Sequence, residues 1–479
     1  MLTLFLIVFP LVAAAVALAA KGESVKQIAF LFSLVEFAAA LYTLFQFTPD
    51  ATMQFGVNFS WIASLGISFK VGMDGISLML VLLTTLLVPF IILSSFGHRY
   101  KNPSAFYALI LVMQSALVGV FTARDAFLFY LFWEAALIPV YFLAGIWGGE
   151  KRIQITFKFF VYTIFGSLFM LLGLAYLYYQ AGTSDLEAIY ALDLPAATQS
   201  WLFWALFVAF AIKMPIFPFH TWQPDTYTES PTPATMLLSG IMLKMGIYGV
   251  IRWLLPVVPE GVAQWGTTAL ILSVIGIVYG SIIAIRQRDI KRILAYSSFA
   301  HVGLMSAGIF SLSIEGMQGA MVQMLAHGVN IVGLFFIAEI IQRRTHTREL
   351  QQLGGITQHT PNLTIFFMIL LLGSVALPLT NGFVGEFLLL AGVFKFNPWY
   401  AAVAGLTIIL SAVYMLRLFQ GVMFGNRNED MPVFADLTLS EKVTLMPLAA
   451  MVFWIGMYPA PFLKLTEPAV GELLKLVVR

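Results

Sequence analysis

The sequence predicts an all-α polytopic membrane protein with about fourteen transmembrane helices. Three observations lead to this fold class. Hydrophobic residues make up 60% of the 479 positions, and the mean hydropathy is +0.89. Only 10% of the residues are charged, against about a quarter in an average soluble domain. The apolar residues also occur in runs of about 20, which is the length that crosses the hydrocarbon core as a helix.

The apolar runs are separated by short polar loops, and each run is taken as one helix. The predicted helices cover residues 2–20, 27–47, 75–97, 104–122, 126–147, 155–179, 200–220, 233–254, 265–285, 292–312, 317–341, 363–394, 399–424 and 443–464. The first run ends in small residues, as a secretory signal does. It lacks a basic segment before it and is too long for a signal, so we interpret it as the first membrane helix.

The composition excludes several classes of function. The chain has no cysteine, which removes disulfides, thiolate iron–sulfur ligation, CxxC redox chemistry and cysteine-based zinc sites. It also has no GxGxxG or GxxxxGK[ST] motif for a nucleotide. The net charge is +2 and the basic residues form small loop clusters, so no nucleic-acid partner is expected. We expect no cofactor in this chain, and any redox chemistry must take place in another chain.

The basic residues fall in alternate loops, which predicts the orientation of the chain. The five clusters are Lys21 with Lys26, Arg99 with Lys101, Lys151 with Arg152, the group Arg286, Arg288, Lys291 and Arg292, and the group Arg343, Arg344 and Arg348. The opposite loops are acidic or hold single basic residues such as Lys70, Arg124 and Arg252. By the positive-inside rule, we expect a bacterial inner-membrane protein with the clusters in the cytoplasm and both termini on the periplasmic side.

Two of the predicted helices are interrupted. The seventh contains Pro215 and Pro218, and the twelfth contains Pro378, Gly382 and Gly385. Broken helices at membrane depth usually line a cavity or a binding site.

The two breaks lie five helices apart, which favours two inverted five-helix repeats, because an odd number of helices reverses the second copy. We therefore divide the chain into three N-terminal helices (1–100), a first repeat (101–258), a second repeat (259–425) and a C-terminal helix with its tail (426–479). No residue-level repeat is evident, so this division rests on hydropathy and on the positions of the breaks.

Four ionisable residues lie far from any predicted loop, with apolar neighbours on both sides: Glu134, Lys213, Lys244 and Glu386. Each costs about 3 kcal/mol at the centre of a membrane helix. One interpretation is structural, with Glu134 and Lys213 forming an ion pair and the other two capped by hydroxyls or helix ends. A proton relay is the other, and it is favoured because buried pairs stabilise poorly and a buried lysine exchanges its proton readily beside a carboxylate.

Two histidines, His301 and His327, are predicted in the middle of helices ten and eleven. They are either packing residues or members of a water-linked proton relay, and no four-helix core with paired histidines suggests haem. His220, beside Asp225 and Glu229, is either a proton-entry residue or a loop cap. The remaining histidines are predicted to be loop residues without a function: His98, His346 and His359.

Two segments carry a specific resemblance. They are KMPIFPFHTWQPDTYTESPTPATMLLSGIMLKMGIYG and RQRDIKRILAYSSFAHVG. Over about residues 70–425 the sequence resembles the antiporter-like subunits of respiratory complex I and their relatives in multisubunit Na⁺/H⁺ antiporters. The resemblance implies fourteen core helices, two inverted repeats with broken seventh and twelfth helices, and a central chain of charges that carries protons.

The resemblance also implies roles for the buried residues. Glu134 matches the family's fifth-helix glutamate, and Lys213 matches the seventh-helix lysine paired with it. Lys244 matches the eighth-helix lysine that links the half-channels, and His301 and His327 match the histidines that follow.

Glu386 distinguishes between the paralogues of complex I. The subunits called L and N have a lysine at this twelfth-helix position, and a third paralogue has a glutamate. Subunit L also has a long lateral C-terminal helix, which we do not expect here. The third paralogue is therefore predicted.

The resemblance implies a proton-translocating subunit of NADH-quinone oxidoreductase, driven by quinone reduction elsewhere in the complex. The implied partners are the other membrane subunits, especially L and N, and the lipid bilayer. Quinone, FMN and iron–sulfur clusters are expected in partner subunits. Two alternatives remain open, namely a subunit of a multisubunit Na⁺/H⁺ antiporter and a structural scaffold with inert charges.

Overall fold

The protein is a bundle of long apolar helices. The computed structural model describes residues 1–425, 432 and 434–477. Within this part, thirteen helices are long and apolar enough to cross a membrane. They are Leu2–Ala19, Ser24–Gln46, Gly75–Gly97, Pro103–Thr122, Ala126–Trp147, Arg152–Ala181, Ala196–Lys213, Thr232–Leu254, Pro259–Arg286, Ile290–Phe310, Ile314–Thr345, Pro398–Met423 and Leu439–Met457.

One further membrane helix is built from two shorter helices, Pro361–Ser374 and Asn381–Phe396. It occupies the twelfth place in chain order, and the helices are numbered one to fourteen accordingly. The prediction of an all-α polytopic fold is confirmed. The predicted boundary at residue 426 lies outside the described residues.

Helices eight, ten and eleven form the centre of the bundle, because almost all of their residues are buried. Helices one, two, six and thirteen leave most of their residues at least partly exposed, and the exposed side chains include many large apolar ones. Such a surface suits contact with lipid tails. The charges on the three central helices therefore lie as far from the lipid as the fold allows.

Helix seven ends at Lys213 and is followed by turns up to the short helix Gln223–Glu229. The break coincides with Pro215 and Pro218, which have no N–H to donate and disfavour helical backbone in the residue before them. The chain then enters helix eight. The predicted break in helix seven is present in the structure.

Helix twelve is interrupted between Ser374 and Asn381, as predicted. Within the gap, Ala376 and Leu379 have positive φ angles of 59° and 72°. Side chains other than glycine rarely adopt this conformation, so the break holds local strain. Strained backbone of this kind is usually retained at functional sites.

Helix five is also interrupted, which was not predicted. Its two parts, Ala126–Ala135 and Leu137–Trp147, meet at Ala136. Pro139 explains the kink, because it cannot donate a backbone hydrogen bond to the carbonyl of Ala135.

Helix eight contains two wide turns with π-helical hydrogen bonding, at Leu238–Met242 and Val250–Leu254. They flank the α-helical segment Leu243–Gly249. Each wide turn adds a residue to the helix and so rotates the side chains beyond it. The position of Lys244 on the helix surface depends on the first of these turns.

Two elements lie outside the membrane helices. Strands β1 (Gln54–Ile62) and β2 (Ile67–Met73) form an antiparallel hairpin before helix three. Residues Ala460–Val477 form a separate helix, whereas the sequence predicted that helix fourteen continues to residue 464. Helix fourteen instead ends at Met457, because Tyr458 precedes a proline and adopts non-helical backbone angles.

Helix five begins at a short backbone bridge with the segment that follows helix six. Leu186 N donates to Arg124 O at 3.1 Å, and Ala126 N donates to Ser184 O at 2.7 Å. Asp125, between the two, caps the helix by accepting from backbone N–H groups.

Helix ten begins in the same way, at the other end of the bundle. Leu350 N donates to Arg288 O at 2.9 Å, and Ile290 N donates to Arg348 O at 3.1 Å. Asp289 caps the helix. Each of these residues lies 164 positions after its counterpart in the first bridge (288 against 124, 348 against 184).

Candidate functional site

The six ionisable residues predicted to form the site lie on six different helices. In order along helices five, seven, eight, ten, eleven and twelve they are Glu134, Lys213, Lys244, His301, His327 and Glu386. All except the half-buried Glu134 are buried. The structure brings four of them, from helices eight, ten, eleven and twelve, into one continuous cluster.

Lys244 and His327 are in direct contact. Lys244 Nζ lies 2.9 Å from His327 Nδ1 and donates to Ser239 O at 2.7 Å. An ammonium only donates, so Nδ1 accepts and the second ring nitrogen of His327 carries the hydrogen. This nitrogen, Nε2, is buried and has no hydrogen-bond partner among the described residues.

His301 joins helix ten to helix twelve. Its Nδ1 lies 2.7 Å from Ser297 O, and its Nε2 lies 3.0 Å from Ser374 O and 3.1 Å from Glu386 Oε1. Carbonyl and carboxylate oxygens only accept, so both ring nitrogens of His301 donate in this geometry. The contact is then a buried imidazolium–carboxylate pair, supported by a carbonyl at the break in helix twelve.

One gap separates these two contacts. The rings of His301 and His327 are 6.0 Å apart between centroids, and no hydrogen bond within the described part of the chain joins them. Glu386 has a further weak contact with Gln323 Nε2 at 3.5 Å, and its Oε2 has no partner there. The cluster is thus a chain of proton-binding groups with a single break.

Glu134 and Lys213 do not form the direct ion pair of the structural interpretation. No contact within 4.0 Å joins the two among the described residues, and Glu134 Oε1 is buried without a partner. Lys213 Nζ lies 5.2 Å from the centre of the Trp133 ring, a cation–π contact. The two residues therefore interact across space and not through a direct contact.

A cavity of about 1140 Å³ opens at the end of the bundle that carries the basic clusters. His98 and Lys291 line it, although His98 was predicted to be a loop residue without a function and Lys291 to be a loop residue. His98 Nε2 lies 2.6 Å from Glu339 Oε1. Lys291 is buried in the first turn of helix ten. His98 is a loop residue, as predicted, whereas Lys291 lies in a helix and not in the predicted loop.

His220 lies in the turns between helix seven and the short helix Gln223–Glu229, and its two predicted roles, proton entry or a loop cap, stay predictions. It is buried and stacks on Phe299, with 4.3 Å between the ring centroids. Asp225 pairs with Lys158 at 2.9 Å and with Arg292 at 3.2 Å. Lys158 is close enough to His220 to act on it electrostatically.

The single basic residues of the opposite end are paired with acidic residues. Arg124 lies 2.6 Å from Glu187, and Lys70 lies 2.7 Å from Asp185. Burial disfavours the ammonium of Lys70, but its hydrogen bonds to the two carboxylates outweigh burial and raise its pKa. Burial and the contact with Glu187 raise the pKa of Asp185, whereas Glu187 has a lowered pKa because its hydrogen bonds and Arg124 outweigh burial. This end therefore has little unpaired positive charge.

Sequence reasoning missed several residues of the site. Ser297 and Ser374 act through backbone carbonyls, and Tyr414 donates to the Ser297 hydroxyl at 3.1 Å, so none of them has a charge signal in the sequence.

Glu36 was also missed. It is buried in helix two with both carboxylate oxygens unpartnered among the described residues, and the search for acidic residues with apolar neighbours would have found it.

The donor set does not suit a metal or haem. No group of three or more His, Cys, Asp or Glu side chains in the described part of the chain is arranged to hold a metal ion. His301 uses both ring nitrogens as hydrogen-bond donors, which leaves no lone pair for haem iron. The arrangement is suited to holding and passing protons.

Comparison with known proteins identifies the family. The model of the family described as NADH:quinone oxidoreductase/Mrp antiporter, TM, matches residues 123–411. The chain is 42% identical over 454 residues to NADH-quinone oxidoreductase subunit M of Rickettsia typhi, covering 94% of this chain and 92% of the relative. The chain belongs to this NADH:quinone oxidoreductase/Mrp antiporter family. Subunit M of Rhodobacter capsulatus is 40% identical over 488 residues, covering 97% and 95% of the two chains.

Solved structures of the family share the fold. A chain in respiratory complex I from Thermus thermophilus with bound NADH superimposes with a TM-score of 0.93 and 31% identity, covering 100% of both chains. A chain in the Mrp complex from Dietzia sp. gives 0.89 at 21% identity, covering 100% and 99%. The second match shows the fold alone. The predicted resemblance, including that to the paralogue with a twelfth-helix glutamate, is confirmed by the subunit M relatives.

The buried contact between His301 and Glu386 predicts an energetic coupling. Removing one partner of a buried pair leaves an uncompensated charge, which costs about 3 kcal/mol. Glu386→Gln should lower the thermal stability of the purified membrane assembly strongly in the native background and only weakly in a His301→Gln background. Thermal inactivation midpoints of the single and double variants measure this coupling. Additive effects would contradict the contact, and His327→Gln combined with Glu386→Gln, which lacks a direct contact, serves as the additive control.

Proposed function

We propose that this chain is the proton-translocating M subunit of an NADH-quinone oxidoreductase in a bacterial inner membrane. The observation that carries the proposal is the buried sequence of proton-binding groups from Lys244 through His327 and His301 to Glu386. It crosses four helices at membrane depth. Ionisable groups placed there are expensive and usually mark an ion pathway.

The groups of the cluster favour protons over sodium ions. Sodium is held by several oxygen ligands, as are other hard cations. The contacts between Lys244 and His327 and between His301 and Glu386 each involve a nitrogen base, and a nitrogen base binds a proton directly. The proposal therefore assigns H⁺ as the transported ion.

Within the cluster, each step has a donor and an acceptor. His301, which carries a hydrogen on both ring nitrogens in this geometry, first passes its Nε2 proton to Glu386. Lys244 then passes a proton to His327 Nδ1, and the hydrogen on His327 Nε2 moves across the gap to the neutral His301. The direction of transfer is set by which neighbouring group is charged, because a charge within about 4–6 Å changes the affinity for a proton.

Glu134 and Lys213 form the first site. Lys213 is buried and has only the Trp133 ring as a close partner, and Glu134 supplies the nearest negative charge. Moving or neutralising Glu134 would change the proton affinity of Lys213. This pair would control loading of the first repeat.

The proposed exit path runs from Glu386 of helix twelve along the neighbouring helix eleven to the opposite end of the bundle. Gln323 lies beside it, and Gln318 is further along the same helix. Both amides have a buried atom without a partner among the described residues, at Gln323 Oε1 and Gln318 Nε2. Unpaired buried amides of this kind suit a water-filled exit path.

We further propose that residues 101–258 and 259–425 are inverted repeats. The two backbone bridges at the starts of helices five and ten support this, because they share the same pattern of hydrogen bonds and lie at opposite ends of the bundle. The breaks in helices seven and twelve follow at matching places. An inverted pair would give one half-channel open to each side of the membrane.

The energy must come from other subunits. Moving one charge against 100 mV requires about 2.3 kcal/mol, and nothing in this chain supplies it. We propose that FMN, iron–sulfur clusters and a quinone site lie in partner subunits, and that the membrane subunits L and N are neighbours in the assembly. The relatives named as subunits of NADH-quinone oxidoreductase support this.

The alternative is the Na⁺/H⁺ antiporter complex, since the fold is common to both. We expect the tagged chain, extracted in mild detergent from its native host, to migrate on a native gel with an assembly that stains for NADH oxidation. Mass spectrometry should find flavin and iron–sulfur subunits in the same band. A smaller assembly of membrane subunits without redox activity would support the antiporter instead.

The relay predicts that Lys213→Ala and Lys244→Ala abolish proton translocation through this subunit while the complex still assembles. Alanine at position 244 leaves nothing to carry the proton, and alanine at position 213 removes the charge that controls loading. Proton-to-electron stoichiometry in proteoliposomes measures the effect. Lys395→Ala, which removes an exposed lysine of helix twelve paired with Glu315, is the control and should keep the normal ratio. A normal ratio in Lys213→Ala and Lys244→Ala would exclude the relay.

We propose that the basic clusters face the cytoplasm and that both termini face the periplasm. The chain has no cysteine, so single introduced cysteines report the orientation without background. A membrane-impermeant maleimide should label Ser60→Cys, in the exposed hairpin, in intact spheroplasts. It should label Lys101→Cys only in inside-out vesicles. The reverse pattern would overturn the orientation.

A further inference from the structure

The cavity at the basic end of the bundle contains a carboxylate that the relay does not use. Glu339, near the end of helix eleven, lines it with a side chain that is 14% exposed. Its Oε2 accepts a hydrogen bond from the Thr232 hydroxyl, and its Oε1 lies 2.6 Å from His98 Nε2. The carboxylate is therefore reachable from the cavity and is held by two groups that can give or take a proton.

A buried lysine lies on the same cavity wall. Lys291 is 3% exposed, donates weakly to Ser230 O at 3.4 Å, and interacts electrostatically with Glu339. Its positive charge favours the charged carboxylate at the cavity mouth. An incoming proton would neutralise Glu339 and weaken this attraction, so the site can exchange protons without breaking a direct ion pair.

Polar groups on helix eight lie between this carboxylate and the relay. Thr235 Oγ1 donates to Tyr227 O at 2.9 Å, Ser239 Oγ donates to Thr235 O at 2.7 Å, and Lys244 Nζ donates to Ser239 O at 2.7 Å. Each hydroxyl oxygen keeps lone pairs for hydrogen bonds from water. The polar groups descend about 18 Å from Thr232 at the cavity to Lys244, at 1.5 Å per residue.

The wide turn in helix eight produces this alignment. In a regular α-helix, Lys244 would be rotated about 120° away from Thr232, because residues follow at about 100° each. The extra residue of the turn at Leu238–Met242 reduces the difference to about 20°. Thr232, Ser239 and Lys244 therefore share one face of the helix.

We infer that Glu339 is the proton acceptor at the cytoplasmic mouth, and that it supplies Lys244 along helix eight without passing through Lys213. The inference rests on the proposed proton translocation. It assigns the cavity as the place where protons enter on the way to the central cluster. It also gives a function to two lining residues: His98 holds the carboxylate in place, and Lys291 favours its charged form. Lys213 then acts beside this path, and its charge controls the loading of Lys244, so Lys213→Ala also abolishes translocation.

A structural role for Glu339 would be to tie helices three, eight and eleven together. The substitution Glu339→Gln tests the two roles, because glutamine keeps the size of the side chain and the bond from Thr232 but cannot carry a proton. Proton translocation is measured in the assembled complex in proteoliposomes. We expect the loss in Glu339→Gln to be at least about nine-tenths of the loss in Lys244→Ala. The matched control is Glu315→Gln, a carboxylate at the other end of the same helix that pairs with Lys395.

Chemical rescue separates proton delivery from structure. Formate and imidazole are small enough to enter a cavity of about 1140 Å³ and can accept and release protons there. Millimolar formate or imidazole should restore translocation in Glu339→Gln severalfold and leave Lys244→Ala unchanged. Rescue is not expected if Glu339 only holds helices together.

The outcomes distinguish this inference from the function on which it rests. Normal translocation in both Lys244→Ala and Glu339→Gln would overturn the proposed function. Loss in Lys244→Ala with normal translocation in Glu339→Gln would overturn only the entry site. If Glu339→Gln does not assemble, Thr232→Val replaces it as the test, because it removes the hydroxyl that contacts the carboxylate. We then expect Thr232→Val to reduce the translocation rate at least severalfold, and a normal rate would overturn the entry site.

Discussion

The cost of burying charge in a medium of low polarity is the constraint on which the rest of this structure depends. An ionisable side chain at membrane depth is stable only where other groups compensate its charge. Lys244 is compensated by a histidine ring and a backbone carbonyl, and His301 by a carboxylate and two carbonyls. Because His327, Glu386 and Ser374 lie on other helices than the charges they compensate, these contacts also fix how the central helices pack. The groups proposed to carry protons are therefore also groups that join the central helices.

Irregular backbone supplies part of this compensation. The carbonyl that receives His301 Nε2 belongs to Ser374, the last helical residue before the break in helix twelve. The carbonyl that receives Lys244 belongs to Ser239, within the wide turn of helix eight. Regular helices use their carbonyls internally, so a break or a wide turn is the way to offer one to a side chain. The strain at Ala376 and Leu379 is then the cost of creating this site.

The two ends of the bundle have different electrostatic character. At one end Lys70 and Arg124 pair closely with acidic residues around the hairpin and the segment after helix six. At the other end, basic clusters surround a wide cavity that reaches Glu339. This asymmetry fits a protein through which protons move in one direction. The fold itself does not determine this role, because an Mrp complex chain with only 21% identity superimposes almost as well as a complex I chain.

The sequence alone determined the number of membrane helices, their order, the two proline-linked breaks and the ionisable residues at the centre of the bundle. These follow from local chemistry, since hydropathy sets the spans, proline removes a backbone donor, and an isolated charge among apolar residues is visible in any single sequence. The tertiary structure decided which charges meet. Only the packing of the helices brought His301 of helix ten onto Glu386 of helix twelve, and left Glu134 of helix five apart from Lys213 of helix seven. The wide turn at Ser239, the carbonyl of Ser374 and the burial of Lys291 arise from contacts between distant segments, so no local pattern predicts them.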